Sequence, residues 1–313
     1  MTTLVLSHPA CIEHEPPEGH PERPDRLRAI MAMLQAEPFH DLVREEAPRG
    51  AIEDVARAHP EDYISLIEGS VPESGIEPLD PDTWMSPRSL EATLRAVGAG
   101  TRAVDAVMAG EVDNAFGAVR PPGHHAESNR AMGFCLFNSV AVAAHYARAK
   151  HGIERAAVVD FDVHHGNGTQ DIFWNDEELF YASTHQMPLY PGSGSRQETG
   201  VGNIFNAPLS PGAGGDQFRE AMETVVLPAL DVFGPDLVII SAGFDAHKLD
   251  PLANLNLTEE DFAWATLKLM EVADKYCEGR VVSMLEGGYD LKGLAASCGI
   301  HLQALMHGGI LDD

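Results

Sequence analysis

The stretch Ala156-Ala157-Val158-Val159-Asp160-Phe161-Asp162-Val163-His164-His165-Gly166-Asn167-Gly168 runs from apolar residues straight into carboxylates and imidazoles. Ala156–Phe161 reads as a buried strand, continuous in apolar side chains. Side chains two apart on an extended chain share a face, so Asp160, Asp162 and His164 are expected to point one way. Carboxylates facing one another repel unless a cation holds them. The glycines that follow let the chain turn closely around the group.

Outward from this segment, further apolar runs read as buried strands: Thr3–Leu6, Ala115–Val119, Leu179–Ser183, Leu237–Ser241 and Val281–Leu285. Helical patterns lie between them at Arg23–Gln35, Ser89–Ala109, Asn138–Lys150, Gln217–Phe233, Glu259–Tyr276 and Leu291–Met306. Pro24 and Thr258-Glu259-Glu260 suit helix starts. Such alternation implies an α/β fold, an open and mostly parallel sheet with helices on both faces. The Pro-rich piece Val71–Pro87 is expected to be a surface loop, so residues 1–313 form one domain. In such sheets ligands bind at the carboxyl ends of the strands.

Polar clusters fall at those ends. Ser241-Ala242-Gly243-Phe244-Asp245-Ala246-His247 follows Leu237–Ile240, and Asp245 can complete an Asp/His/Asp set with Asp162 and His164. Three N and O ligands that leave room for water suit a catalytic Zn²⁺. Without a thiolate, Fe²⁺, Co²⁺ and Mn²⁺ also suit the set. Arg120-Pro121-Pro122-Gly123-His124-His125 places a histidine pair behind a stiff turn. Leu285-Glu286-Gly287-Gly288-Tyr289 ends the last strand, its phenol either exposed on a turn or placed as a donor. Gly133-Phe134-Cys135-Leu136-Phe137-Asn138 sets aromatics before a helix, either as core packing or as a wall.

Composition narrows the partners. Against 48 Asp and Glu stand 21 Lys and Arg, a formal charge of −27, and only five of the bases are Lys. A chain this acidic repels a phosphate backbone and an anionic membrane surface, so neither nucleic acid nor membrane is an expected partner. No apolar run reaches the roughly 18 residues of a membrane span. The opening MTTLVLSHPACIEHE lacks a basic start and is not read as a signal peptide. Cys11, Cys135, Cys277 and Cys298 are scattered, which suits a reduced, cytoplasmic compartment.

Taken together, HPERPDRL (20–27), RPPGHHAE (120–127), GFCLFNSVAVAA (133–144), VVDFDVHHGNGTQDIF (158–173), SAGFDAHKLDPL (241–252) and LEGGY (285–289) resemble the histone deacetylase and acetylpolyamine amidohydrolase superfamily, in its class II-like branch. The resemblance spans essentially the whole chain in family order. It implies an arginase-like sheet and metal-assisted hydrolysis of an N-acyl amide, such as acetyl-lysine, to acetate and an amine. It makes Asp162, His164 and Asp245 the zinc ligands, His124 and His125 the tandem catalytic histidines, and Tyr289 the catalytic phenol. Asp160 backs His124 and Asn167 stands behind His125, where many class I members have Asp. A structural K⁺ is implied at Asp160, Ser183 and the backbone of Asp162 and His164.

Substrate-binding positions carried over in the same way are Gly133, Phe134, Tyr190, Leu252 and Asp82. Tyr190 stands where the family usually has Phe. Leu252, at a rim position that varies, suits acyl-lysine, whereas a carboxylate there would suit a polyamine. Acetylpolyamine hydrolysis stays open, as do a peptide and a small-molecule N-acyl amine. Asp245-Ala246-His247 is also reminiscent of binuclear arginase-like ureohydrolases. A pocket kept for binding alone is a third reading, and a homo-oligomer that shapes the rim is compatible with the sequence.

Overall fold

The structure, a computed structural model, describes residues 1–308. Ten strands form in chain order: β1 (Thr3–Ser7), β2 (Val43–Glu46), β3 (Glu77–Asp80), β4 (Thr83–Met85), β5 (Asn114–Gly117), β6 (Ala156–Asp160), β7 (Leu179–Gln186), β8 (Ile204–Leu209), β9 (Leu237–Ala242) and β10 (Val281–Leu285). The α-helices are α1 (Ala10–Glu13), α2 (Pro24–Met33), α3 (Ile52–Val55), α4 (Glu61–Gly69), α5 (Ser89–Met108), α6 (Ser139–His151), α7 (Asn167–Phe173), α8 (Gly215–Ala221), α9 (Leu227–Phe233), α10 (Glu259–Tyr276) and α11 (Leu291–His307).

Eight strands pair in the order β2-β1-β5-β10-β9-β6-β7-β8, and every pairing is parallel. The central strands β6, β9 and β10 are buried at every residue, as runs of Val, Ile, Leu and Ala require when both faces are covered. In β5 the Phe116 ring packs on His301 of α11, whereas Gly117 lies toward Ala99 of α5. Neighbouring strand residues face opposite sides, so α5 and α11 cover opposite faces. The expected α/β architecture is therefore the observed one.

Helix ends follow their caps. Asn138 Oδ1 accepts the Ala141 N–H at 3.0 Å to start α6, and Gly152 at φ 67° ends it. Asp290 starts α11 by accepting the N–H groups of Lys292 and Gly293.

Three expectations change. The pattern at 217–233 is α8, a π-helical turn at Met222–Val226, and α9, because Pro228 has no N–H to give the preceding turn. The Pro-rich stretch is more ordered than a loop, since β3 and β4 form an antiparallel hairpin in it. Two edge strands were not among the expected ones. β2 is exposed and reads Val-Arg-Glu-Glu, and β8 contains Pro208, which an edge tolerates.

Candidate active site

Strands β5, β10, β9 and β6 are neighbours, so the segments leaving their carboxyl ends meet over one patch of the sheet. β6 stops at Asp160, and this corrects the expected reason for the convergence of its side chains. Asp160 Oδ1 accepts the Asp162 N–H at 3.0 Å, and Asp162 Oδ1 accepts the His164 N–H at 2.9 Å. Two consecutive side-chain turns, not a strand pleat, bring the groups together.

Asp162, His164 and Asp245 each offer one donor atom, all within 4.8 Å of one another, and all three residues are buried. His164 Nδ1 lies 3.1 Å from Asp162 Oδ1 and 3.1 Å from Asp245 Oδ2. Burial alone would depress the His164 imidazole, but these two carboxylates outweigh it and raise it to about 10. The remaining carboxylate oxygens are pinned by backbone: Gly287 N–H donates to Asp162 Oδ2 at 2.8 Å, and Val163 N–H to Asp245 Oδ1 at 2.9 Å. A Cβ on Gly243 or Gly287 would collide with these carboxylates, so the backbone closes directly around them.

The tandem histidines differ in their partners. His124 Nδ1 is 3.0 Å from Asp160 Oδ2, which also accepts from the Tyr181 hydroxyl at 3.1 Å. Burial opposes charge on His124, yet Asp162, Asp160 and Glu286 together raise it well above the ordinary imidazole range. His125 Nδ1 instead meets the neutral Asn167 Oδ1 at 2.9 Å. Burial, and then the neighbouring His124 and His164, press His125 well below the ordinary range. The two rings sit 4.0 Å apart, with their surroundings favouring charge on His124 and opposing it on His125.

A cavity of about 200 Å³ opens onto His125, His164 and Tyr289. Its walls include Phe134, Leu189 and Tyr190, and Leu252 and Asp82 also line it. Gly133 sits at φ 57° with its α-carbon against the His125 ring, where any side chain would collide. Asp82 Oδ1 accepts the Gly133 N–H at 3.0 Å, tying the β3–β4 hairpin to this wall. Burial and the facing Asp82 carboxylate push the Tyr190 phenol upward. The cavity thus gathers all five residues assigned by resemblance to substrate binding. Ser183 lies beside Asp160 in strand register, its hydroxyl 2.9 Å from His185 Nδ1.

Two residues inside quoted motifs carry roles that no local spacing announced. Glu286 is buried; it accepts from Gly123 N–H at 2.7 Å, His124 N–H at 3.1 Å and the Ser241 hydroxyl at 3.2 Å, knitting three strand ends. Arg26 is fully buried, donates to the Gly288 carbonyl at 2.6 Å and the Glu286 carbonyl at 2.5 Å, and stacks 4.8 Å from the Tyr289 ring centre. Both contacts bridge more than 100 residues of sequence. His247 turns away from the cluster, its Nε2 3.5 Å from Glu259 on α10.

A paired-histidine, carboxylate and phenol site at four parallel strand ends matches one family closely. The family model described as the histone deacetylase domain matches residues 20–305. The chain belongs to the histone deacetylase family. It is 38% identical to a probable deacetylase of Archaeoglobus fulgidus over 98% of this chain and 87% of that protein. A histone deacetylase-like amidohydrolase of Pseudomonas aeruginosa is 39% identical over 87% of this chain and 73% of its own length. The crystal structure of the HDA15 HD domain superposes with a TM-score of 0.93 at 35% identity, covering 99% of this chain and 90% of that one. Among the described residues of this deacetylase-family chain, no helix is long and apolar enough to cross a membrane.

Proposed function

We propose that the protein is a zinc-dependent amidohydrolase that removes an acetyl group from an N-acylated amine such as acetyl-lysine. The observation that carries this reading is the buried Asp162/His164/Asp245 set standing beside His125 and Tyr289 at one small cavity. Ligands about 2.0–2.2 Å from a tetrahedral ion lie roughly 3.3 Å apart, which the donor spacing here accommodates. The oxygen and nitrogen donors suit Zn²⁺, with Fe²⁺ and Co²⁺ also compatible. A divalent ion bound there supplies the Lewis acidity that polarises the amide carbonyl and activates water.

The chain's own groups supply the rest. His125 commits Nδ1–H to Asn167, which leaves the Nε2 lone pair to take the attacking water's proton and pass it to the leaving amine. His124, kept charged by Asp160, stabilises negative charge on the former carbonyl oxygen. Burial holds the Tyr289 phenol well above its ordinary range, so its hydroxyl stays a donor to that oxygen. Phe134 and Tyr190 flank a linear apolar chain, and Asp82 at the rim faces the substrate beyond it. A structural K⁺ at Asp160, Ser183 and the backbone of Asp162 and His164 belongs to the same reading, supported by the pairing of Asp160 with Ser183. The buried, unpaired cysteines suit a cytoplasmic setting.

Acetylpolyamine is the second substrate class, favoured by the acidity of Asp82 and opposed by the apolar Leu252 at the same rim. A binuclear ureohydrolase has less support. The described residues contain a single three-residue metal cluster, and His247 faces Glu259 instead. The test is kcat/KM for acetyl-lysine peptides against acetylputrescine and acetylspermidine on zinc-loaded protein. A hundredfold preference for the peptides, about 2.7 kcal/mol, is expected. The reverse preference assigns the polyamine class, and no turnover of either class refutes the reading.

A further inference from the structure

We propose that Glu127 is a positioning residue for His125: through the Asn167 amide it dictates which imidazole nitrogen carries the proton. The inference rests on the reading of His125 as general base. Asn167 stands between the two groups, its Oδ1 2.9 Å from His125 Nδ1 and its Nδ2 2.8 Å from Glu127 Oε1. The two ends of a carboxamide are nearly equal in shape, so the hydrogen-bonding partners decide which way it points. A carboxylate only accepts, and therefore draws the NH₂ group toward itself. The amide oxygen, which also only accepts, is left facing His125. Nδ1 must then be the N–H, and the lone pair lies on Nε2, where a base needs it.

The other neighbours of Asn167 Nδ2 agree in sign but are weaker. Met132 Sδ lies at 3.3 Å and the His125 carbonyl at a marginal 3.5 Å. The contact with Glu127 is the charge-assisted one. Asn167 is 6% exposed, so bulk water does not replace these partners. Glu127 itself is preset, because its N–H donates to the Arg130 carbonyl at 3.0 Å and Asp171 grips the adjacent Ser128 N–H at 2.9 Å. The intervening amide also explains the asymmetry of the histidine pair. Asp160 touches His124 directly with a carboxylate, whereas Asn167 passes on the orientation set by Glu127 while presenting a neutral oxygen to His125.

The test reverses donor and acceptor. In Glu127→Lys the new ammonium attracts the amide oxygen, turns NH₂ toward His125 Nδ1, and moves the ring proton to Nε2. Adding Asn167→Asp gives a carboxylate that accepts from the ammonium and from His125 Nδ1–H together. Turnover of an acetyl-lysine peptide is measured beside the histidine ring ¹⁵N spectrum, which reports the tautomer without any turnover. Glu127→Lys is expected to lower kcat about tenfold to a hundredfold with KM little changed, and to populate Nε2–H. The double variant is expected to recover at least about tenfold over Glu127→Lys and to restore Nδ1–H. Wild-type kcat and tautomer in Glu127→Lys overturn the proposal, as does a double variant no better than Glu127→Lys. Wild-type protein without turnover on any acyl amine removes the deacetylase reading, while the ring spectra still decide the role of Glu127.

Discussion

Replacing Tyr289 by Phe removes one hydroxyl and leaves everything around the ring in place. Arg26 still stacks 4.8 Å from the ring centre, and its bonds to the carbonyls of Glu286 and Gly288 do not involve the phenol oxygen. Phe134 still meets the ring edge at 5.8 Å. The Tyr289 backbone N–H still donates to Asp250 at 2.7 Å. The fold should therefore lose less than about 1 kcal/mol, the range of one hydrogen-bonding group. Catalysis loses more. A donor aimed at a developing oxyanion typically contributes about 10²–10³ in kcat, or roughly 2.7–4 kcal/mol. The assay is steady-state kinetics on an acetylated peptide, with thermal unfolding measured on the same preparation. The account expects kcat to fall by about two to three orders of magnitude with KM and Tm nearly unchanged. Retention of half the wild-type kcat, or a loss matched by unfolding, would refute the role given to the phenol.

Gly133→Ala places a methyl group against the His125 ring in left-handed backbone, so activity should drop at least tenfold with a stability cost of about 1–3 kcal/mol; calorimetry and kinetics on one sample check it. His59 uses both ring nitrogens while neutral, giving Nδ1–H to the Ser128 carbonyl and accepting the Asn138 N–H on Nε2, and burial lowers it to about 4. Its unfolded-state value near 6.5 is higher, so the stabilising contribution is present above about pH 6.5 and lost as pH falls toward 4. Between pH 7 and pH 5 the wild type should lose about 2 kcal/mol more than His59→Asn, as read by urea titration; parallel losses would contradict this. Leu252→Glu puts a carboxylate on the cavity rim and should shift the ratio of kcat/KM toward acetylpolyamines by up to about fivefold, the roughly 1 kcal/mol of an exposed ion pair; an unchanged ratio means that the rim does not read substrate charge.

The sheet and the meeting of Asp162, His164 and Asp245 were legible in sequence for a physical reason. Buried parallel strands are apolar throughout, so the change to Asp, His and Gly after Val159, Ile240 and Leu285 marks both a strand end and a site. What stayed hidden acts without such contrast. Glu286 and Arg26 read as ordinary charges beside glycines and prolines until the fold brings them to partners far away in sequence. Asn167 was noted as the neighbour of His125, but the Glu127 contact that orients it crosses 40 residues. Even the correct grouping of Asp160, Asp162 and His164 rested on strand alternation, while side-chain-to-backbone turns produce it. Edge strand β2 escaped because its exposed Val-Arg-Glu-Glu has no apolar run, and β8 because Asn206 and Pro208 interrupt its apolar residues.

The most direct test of the central claim is metal analysis of the purified protein by mass spectrometry, beside Asp245→Ala and His164→Ala. The account predicts about one divalent ion per chain in the wild type and a large loss of that ion in both variants, because each removes one of three converging donors. Full metal content in either variant, or two ions per wild-type chain, would contradict it.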